Sequence, residues 1–103
     1  YIEILSPCPP GWRFPADKTV EVGRLAVQTC AFPLWEALWE DGQQVIRLTG
    51  PSKLIARVPE LKLPLEPYLA MQGRFAGISP EDVKAFQAWV DAAWERLVKI
   101  AEF

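Results

Sequence analysis

The stretch "PLWEALWEDGQQVIRLT", residues 33–49, decides the fold class because it predicts a β-hairpin. Asp41-Gly42 is a favoured two-residue type I′ turn, and both arms are rich in strand-forming residues. A two-residue loop fixes the register of the two arms. The predicted cross-strand pairs are Trp35 with Leu48, Glu36 with Arg47, Ala37 with Ile46 and Leu38 with Val45.

Helices are predicted on both sides of the hairpin. Asp17 is a suitable N-cap for a helix over residues 18–29, which carries a narrow polar stripe and a wide apolar face. A second helix begins after Ser79, with Pro80 at its first position and Asp82 three residues after the cap. Its apolar seam comprises Val83, Phe86, Val90, Ala93, Leu97 and Ile100, widened by Trp89 and Trp94. Because this seam is shorter than about four heptads, we expect docking onto its own domain rather than a coiled coil.

The remaining segments complete an α+β prediction. The first residues include Tyr1, Ile2, Ile4 and Leu5, whose β-branched and aromatic content predicts a terminal strand that ends at Ser6-Pro7. Four prolines between residues 50 and 67 favour an extended connector. A short helix is predicted at about residues 67–72, stopped by Gly73. The predicted order is therefore terminal strand, helix, β-hairpin and C-terminal helix.

Composition excludes several classes of function. The chain of 103 residues is long enough for one domain, and its net charge of −2 comes without a basic cluster for nucleic acid. No apolar stretch approaches the ~18 residues of a membrane span. Histidine is absent, so a self-contained hydrolase with a His base is not expected. Two cysteines fit a reducing cytoplasm better than a secreted, disulfide-rich scaffold.

Cys8 is the candidate for chemistry, since it lies in "SPCPPGW". The prolines around it stiffen the loop, and rigid display of a thiol suits a metal ligand. Iron–sulfur clusters and zinc commonly take four ligands, so this chain could supply only one of them. A small buried residue is the alternative for Cys8, and it is the favoured interpretation for Cys30.

These stretches resemble a known family. "YIEILSPCPPGWRFPADKTVEVGRLAVQT", "PLWE" and "YLAMQGRF" resemble the C-terminal portion of the β subunit of pyruvate:ferredoxin oxidoreductase. That is the thiamine-diphosphate-binding subunit of the 2-oxoacid:ferredoxin oxidoreductases. The resemblance covers nearly the whole chain, and "SPCPPGW" and "QGRF" are its most specific pieces.

The resemblance implies that the chain is a fragment of an α/β thiamine-diphosphate-binding fold. Residues 1–50 would be the end of the thiamine-binding core, with the cluster-ligand loop and hairpin, and residues 51–103 a proline-rich connector with a C-terminal helical extension. Cys8 would be the fourth cysteine ligand of the proximal [4Fe-4S] cluster. Three further cysteines would come from the N-terminal half of the β subunit.

The implied reaction is oxidative decarboxylation of a 2-oxoacid, with pyruvate expected, to an acyl-CoA. Thiamine diphosphate and Mg²⁺ would be held elsewhere in the subunit, and ferredoxin would accept the electrons. The expected partners are the N-terminal half of the β subunit and the other oxidoreductase subunits, in the cytoplasm. No catalytic residue falls in this chain, so we expect it to be inactive alone.

The chain departs from the family pattern at two points, and two other functions compete with the one that the resemblance implies. Pro10 replaces the family's usual threonine, and the cysteine pair and thiamine-binding motif of the family are absent. Trp12 would shield the cluster or anchor the core, and Arg74 would pair with an acidic group of a neighbouring subunit or lie in solvent. The rival functions are a non-catalytic α+β interaction module without a cluster, and a cluster bridging two chains through Cys8 and Cys30.

Overall fold

The computed structural model describes all residues, Tyr1–Phe103, as an α+β arrangement of helices around one hairpin. A single two-stranded antiparallel sheet pairs β1 with β2. Short 3-10 turns lie at Ala16–Lys18, Pro59–Leu61 and Gly73–Phe75. The helices and strands are α1 (Pro9–Trp12), α2 (Thr19–Gln28), β1 (Trp35–Glu40), β2 (Gln43–Leu48), α3 (Gly50–Arg57), α4 (Glu66–Ala70) and α5 (Pro80–Ile100).

The predicted hairpin is confirmed in position and register. Each of the four predicted cross-strand pairs is present, including Glu36 opposite Arg47. Asp41 and Gly42 have φ values of 50° and 78°, as a type I′ turn requires. The half-buried Arg47 guanidinium binds the carboxylates of Glu40 and Glu102, with nitrogen–oxygen distances of 2.6 and 3.2 Å. The hairpin is therefore joined to the C-terminal end of the chain.

Helix α2 is confirmed, although its predicted cap is wrong. Asp17 lies within the 3-10 turn that precedes α2, and no side chain caps the helix. That turn runs directly into α2, so its backbone occupies the place where a capping residue would stand. The helix buries Val22 and Ala26 completely, whereas Val20 is exposed.

Two predictions from local composition are wrong. Residues 1–5 form no strand, and the side chains of Tyr1, Ile2 and Ile4 are exposed. Strand-forming composition gives no strand here because no other segment of the chain pairs with it. The supposed extended connector contains α3, in which Pro51 occupies the first turn, where proline is tolerated.

Helix α5 docks onto the rest of the chain, as predicted. The Ser79 hydroxyl accepts a hydrogen bond of 3.1 Å from the Asp82 N–H, and Val90 and Trp94 are buried. These side chains join a hydrophobic core drawn from α2, β2, α3, α4 and the loops. Its buried members are Phe14, Val22, Ala26, Cys30, Leu48, Ile55, Leu65, Tyr68, Leu69, Val90 and Trp94.

Polar contacts fasten the segment before α4 to α5. The Lys62 ammonium donates a 2.6 Å hydrogen bond to the Asp91 carboxylate, which also accepts one from Gln87. The Gln87 side-chain oxygen in turn accepts from the backbone N–H of Leu65 at 2.7 Å. None of the helices combines the length and apolar character that crossing a membrane requires.

Candidate functional site

The Cys8 loop, residues 7–14, carries the candidate ligand Cys8 immediately before α1. Cys8 precedes α1 with an extended backbone of φ −112° and ψ 102°. Pro9 and Pro10 fill the first two helical positions, where the missing N–H groups would lack intrahelical partners in any case. The backbone N–H of Trp12 donates a 2.8 Å hydrogen bond to the Cys8 carbonyl. The Cys8 residue is exposed.

Gly11 leaves room for the thiol. A Cβ atom built on Gly11 would lie 3.2 Å from the Cys8 sulfur, which is tighter than ordinary contact. The sulfur therefore lies close to Gly11, and a methyl group there would require a shift of a few tenths of an ångström. An exposed thiol held in this way fits the role of one cluster ligand, once it is deprotonated. No group of three or more His, Cys, Asp or Glu side chains is close enough to hold a metal ion.

Trp12 and Arg74, which are far apart in the sequence, lie in contact. The Arg74 guanidinium carbon is 4.0 Å from the centre of the Trp12 ring and 4.8 Å from that of Phe75. Trp12 also meets the buried Phe14 ring edge-on, with ring centres 6.2 Å apart. Trp12 is thus half-buried between the core and the guanidinium.

The backbone joins the same two segments. The N–H of Gly73 donates a 2.7 Å hydrogen bond to the carbonyl of Arg13, the residue that ends α1 in the left-handed conformation. A Cβ atom on Gly73 would lie 2.7 Å from Arg13 Cβ, so only glycine permits this approach. The Cys8 loop and the QGRF turn, residues 72–75, therefore form one unit. In the sequence, the only sign of this unit is that "SPCPPGW" and "QGRF" are the most specific pieces of the family resemblance.

Cys30 is a buried core residue, as predicted. It is 3% exposed and has a φ of 64° just after α2. Burial raises the pKa of the Cys30 thiol to about 11, with Lys62 lowering it and Asp91 raising it further. The side chain is consequently a neutral thiol at pH 7, and its burial argues against a cluster shared between two chains through Cys30.

Known proteins match the chain over nearly its full length, although no family model matches it. VorB of Pyrococcus horikoshii, a ketoisovalerate oxidoreductase subunit, is 48% identical over 102 residues, which are 99% of this chain and 30% of that protein. VorB of Pyrococcus furiosus is 46% identical over the same shares of the two chains. PorB of Methanocaldococcus jannaschii, a pyruvate synthase subunit, is 38% identical over 91 residues, which are 88% of this chain and 27% of that protein.

These matches define the class: the chain is homologous to a subunit of oxidoreductases named for 2-oxoacids. Its homologues are the VorB and PorB subunits of 2-oxoacid:ferredoxin oxidoreductases, matched in the C-terminal portion of the β subunit. The resemblance predicted from the sequence is therefore confirmed. The chain spans about 30% of the length of the curated VorB relatives it matches.

Proposed function

We propose that this chain is the C-terminal segment of the β subunit of a 2-oxoacid:ferredoxin oxidoreductase, and that Cys8 supplies one thiolate to a [4Fe-4S] cluster. The observation that carries the proposal is the display of Cys8. Its thiol is exposed, lies on a proline-stiffened turn and packs against Gly11, where a larger side chain would crowd it. Three further thiolates would have to come from outside this chain, because such clusters commonly take four.

The alternative thiol does not suit this role. Metal ligation requires a thiolate, and burial raises the pKa of Cys30 to about 11. Ligation by Cys30 would also require its side chain to leave a well-packed core, in which it is 3% exposed. Cys8 is therefore the ligand we assign, and Cys30 serves as the matched control for every experiment on it.

In the proposed enzyme, the cluster and the other cofactors have separate chemical roles. Thiamine diphosphate with Mg²⁺ supplies the decarboxylation chemistry, and the cluster carries electrons towards ferredoxin. Residues 1–50 would complete the thiamine-binding core, whose α/β fold continues in the N-terminal half of the β subunit. Residues 51–103 would extend from that core towards the other subunits.

We propose a branched-chain 2-oxoacid as the substrate, in place of the pyruvate expected from the sequence. The support is the level of identity: 46–48% to the ketoisovalerate oxidoreductase subunits and 31–38% to the pyruvate synthase subunits. A branched 2-oxoacid carries more apolar carbon atoms than pyruvate. One extra or missing methylene in an apolar pocket changes the discrimination between two substrates by ~1–3 kcal/mol. Pyruvate remains the second candidate on the strength of the PorB relatives.

The test is reduction of a viologen dye by the assembled oxidoreductase, with CoA and either 2-oxoacid. We expect faster reduction with 3-methyl-2-oxobutanoate than with pyruvate. Cys8→Ala should lower the rate at least about tenfold, as expected for loss of a metal ligand. Cys30→Ala should retain the rate within about twofold, since Cys30 behaves as a small apolar residue. An unchanged rate in the Cys8 variant would contradict the proposed ligand.

The rival function is an interaction module without a cluster. It would use the exposed aromatic residues of the hairpin, since Trp35 and Trp39 are 51% and 74% exposed. An assembled complex that lacks iron, and whose integrity depends on these tryptophans, would favour the rival. An iron-containing complex that loses iron with Cys8→Ala would favour the oxidoreductase.

A further inference from the structure

We propose that the QGRF turn is a clamp for the Cys8 loop, and that Arg74 is a positioning residue that acts on Cys8 through Trp12. That the clamped thiol serves a cluster rests on the function proposed above. The clamp itself is a property of this chain and can be tested without any cluster. Three sets of contacts between the two segments carry the inference.

The first contact is between backbones. Gly73 donates its N–H to the Arg13 carbonyl at 2.7 Å, and its missing side chain lets the two backbones approach. Arg13 has a φ of 61°, a left-handed conformation that is uncommon for residues other than glycine. The hydrogen bond therefore holds the end of α1 in a conformation that the residue seldom adopts alone.

The second contact is between side chains. The Arg74 guanidinium lies over the Trp12 ring at 4.0 Å, well inside the ~6 Å range of cation–π attraction. Arg74 forms no ion pair with any carboxylate of this chain. Its charge is instead directed at Trp12 and Phe75. The backbone N–H of Trp12 donates to the Cys8 carbonyl, so the backbone that carries the Trp12 ring is tied to that of Cys8.

The third contact fixes the clamp to the core. The Nε–H group of Arg74 donates a 2.6 Å hydrogen bond to the side-chain oxygen of Gln72. Gln72 is 2% exposed, and its side-chain amide donates in turn to the Tyr68 carbonyl in α4. The guanidinium is thus oriented by a buried amide whose oxygen and nitrogen each make a hydrogen bond. A flexible surface arginine would lack this support.

The test is the rate of alkylation of Cys8 by iodoacetamide, resolved by peptide mass spectrometry. Trypsin cleavage after Arg13 separates the Cys8 peptide from the Cys30 peptide, which lies between cleavage sites after Arg24 and Arg47. Arg74→Ala is compared with Arg96→Ala, which removes an exposed arginine of α5. Arg74→Lys keeps the charge but lacks the planar group that stacks and bonds to Gln72.

We expect Arg74→Ala to change the Cys8 alkylation rate by about 2- to 5-fold, the range expected for loss of a cation–π contact at an exposed arginine. Arg74→Lys should give an intermediate rate. In both variants the Cys30 rate should stay at its low wild-type value, which shows that the core is intact. A Cys8 rate in Arg74→Ala equal to that in Arg96→Ala would overturn the clamp.

A second measurement separates the clamp from the proposed function. In the assembled oxidoreductase, Arg74→Ala should broaden or shift the EPR signal of the reduced cluster, with Arg96→Ala unchanged. If Cys8→Ala leaves that signal intact, the cluster assignment is wrong and the alkylation result still decides the clamp. If Cys8→Ala abolishes the signal and Arg74→Ala leaves both signal and alkylation unchanged, the clamp is wrong and the cluster assignment stands.

Discussion

Replacement of Gly73 by alanine is the sharpest test of the contact between the Cys8 loop and the QGRF turn. The new methyl group would lie 2.7 Å from Arg13 Cβ and 3.0 Å from the Arg13 carbonyl oxygen. Optimal carbon–carbon contact is about 3.5–4.0 Å, so the two backbones must separate by roughly 1 Å. That movement would stretch the 2.7 Å hydrogen bond between Gly73 and Arg13 beyond effective range.

The expected change in stability combines two costs and one gain. Overpacking costs ~1–3 kcal/mol, and a lost backbone hydrogen bond costs ~0.5–1.5 kcal/mol. Reduced freedom of the unfolded chain returns ~0.4–1 kcal/mol to any glycine-to-alanine variant. The free energy of unfolding should therefore fall by about 0.5–4 kcal/mol, which lowers the melting temperature by roughly 2–30 °C in a domain of this size.

Urea unfolding followed by circular dichroism measures this cost, and Gly23→Ala is the matched control. A Cβ atom on Gly23 meets only the Pro7 ring, at an ordinary 3.5 Å, and Gly23 lies inside α2. Alanine there should raise the stability by about 0.5–1 kcal/mol. Equal stability of Gly73→Ala and wild type would refute the close approach of the two segments.

Three further predictions concern the supports of the fold. Partial burial alone would raise the pKa of Asp91, but hydrogen bonds from Lys62 and Gln87 and the Lys62 charge together lower it from 3.8. The stabilisation of the fold by ionised Asp91 is therefore present near neutral pH, and it is lost as the pH falls through the lowered pKa. In urea unfolding, Asp91→Asn should cost ~0.2–1 kcal/mol at pH 7, because the side chain is 43% exposed, and this cost should shrink as the pH falls below 3.8. A pH-independent cost would contradict this. Because burial raises the pKa of Cys30 from 9.0 to about 11, unfolding titrations should show stability falling between those pH values in wild type, beyond any fall in Cys30→Ala. Ser79→Ala should lower the free energy of unfolding by ~0.5–2 kcal/mol through loss of the cap on α5, whereas exposed Ser6→Ala should not.

The parts of the fold that the sequence predicts correctly are those specified by neighbouring residues. The Asp41-Gly42 turn sets the hairpin register, and Ser79 with Pro80 sets the start of α5, so both signals are complete within a few positions. Helix α3 was missed because the four prolines between residues 50 and 67 were interpreted as favouring an extended connector. In the structure Pro51 lies in the first turn after Thr49, where its missing N–H has no intrahelical partner to lose.

Features that depend on distant contacts are not predictable in the same way. Residues 1–5 have strand-forming composition, but a strand also requires a neighbour, and none lies beside them in this chain. The Cys8 loop was identified from its prolines, whereas its contact with Arg74 joins segments far apart in the sequence. No periodicity or spacing reports a cation stacked on an aromatic ring across such a separation.

The central claim is that Cys8 contributes a ligand to a cluster whose other ligands lie outside this chain. The most direct measurement is the iron content and EPR spectrum of the assembled oxidoreductase that carries Cys8→Ala, beside the same assembly with Cys30→Ala. We predict that Cys8→Ala loses one [4Fe-4S] cluster, about four irons per chain, or converts it to a three-iron form, and that Cys30→Ala retains it. Full iron and an unchanged spectrum in the Cys8 variant would contradict the account.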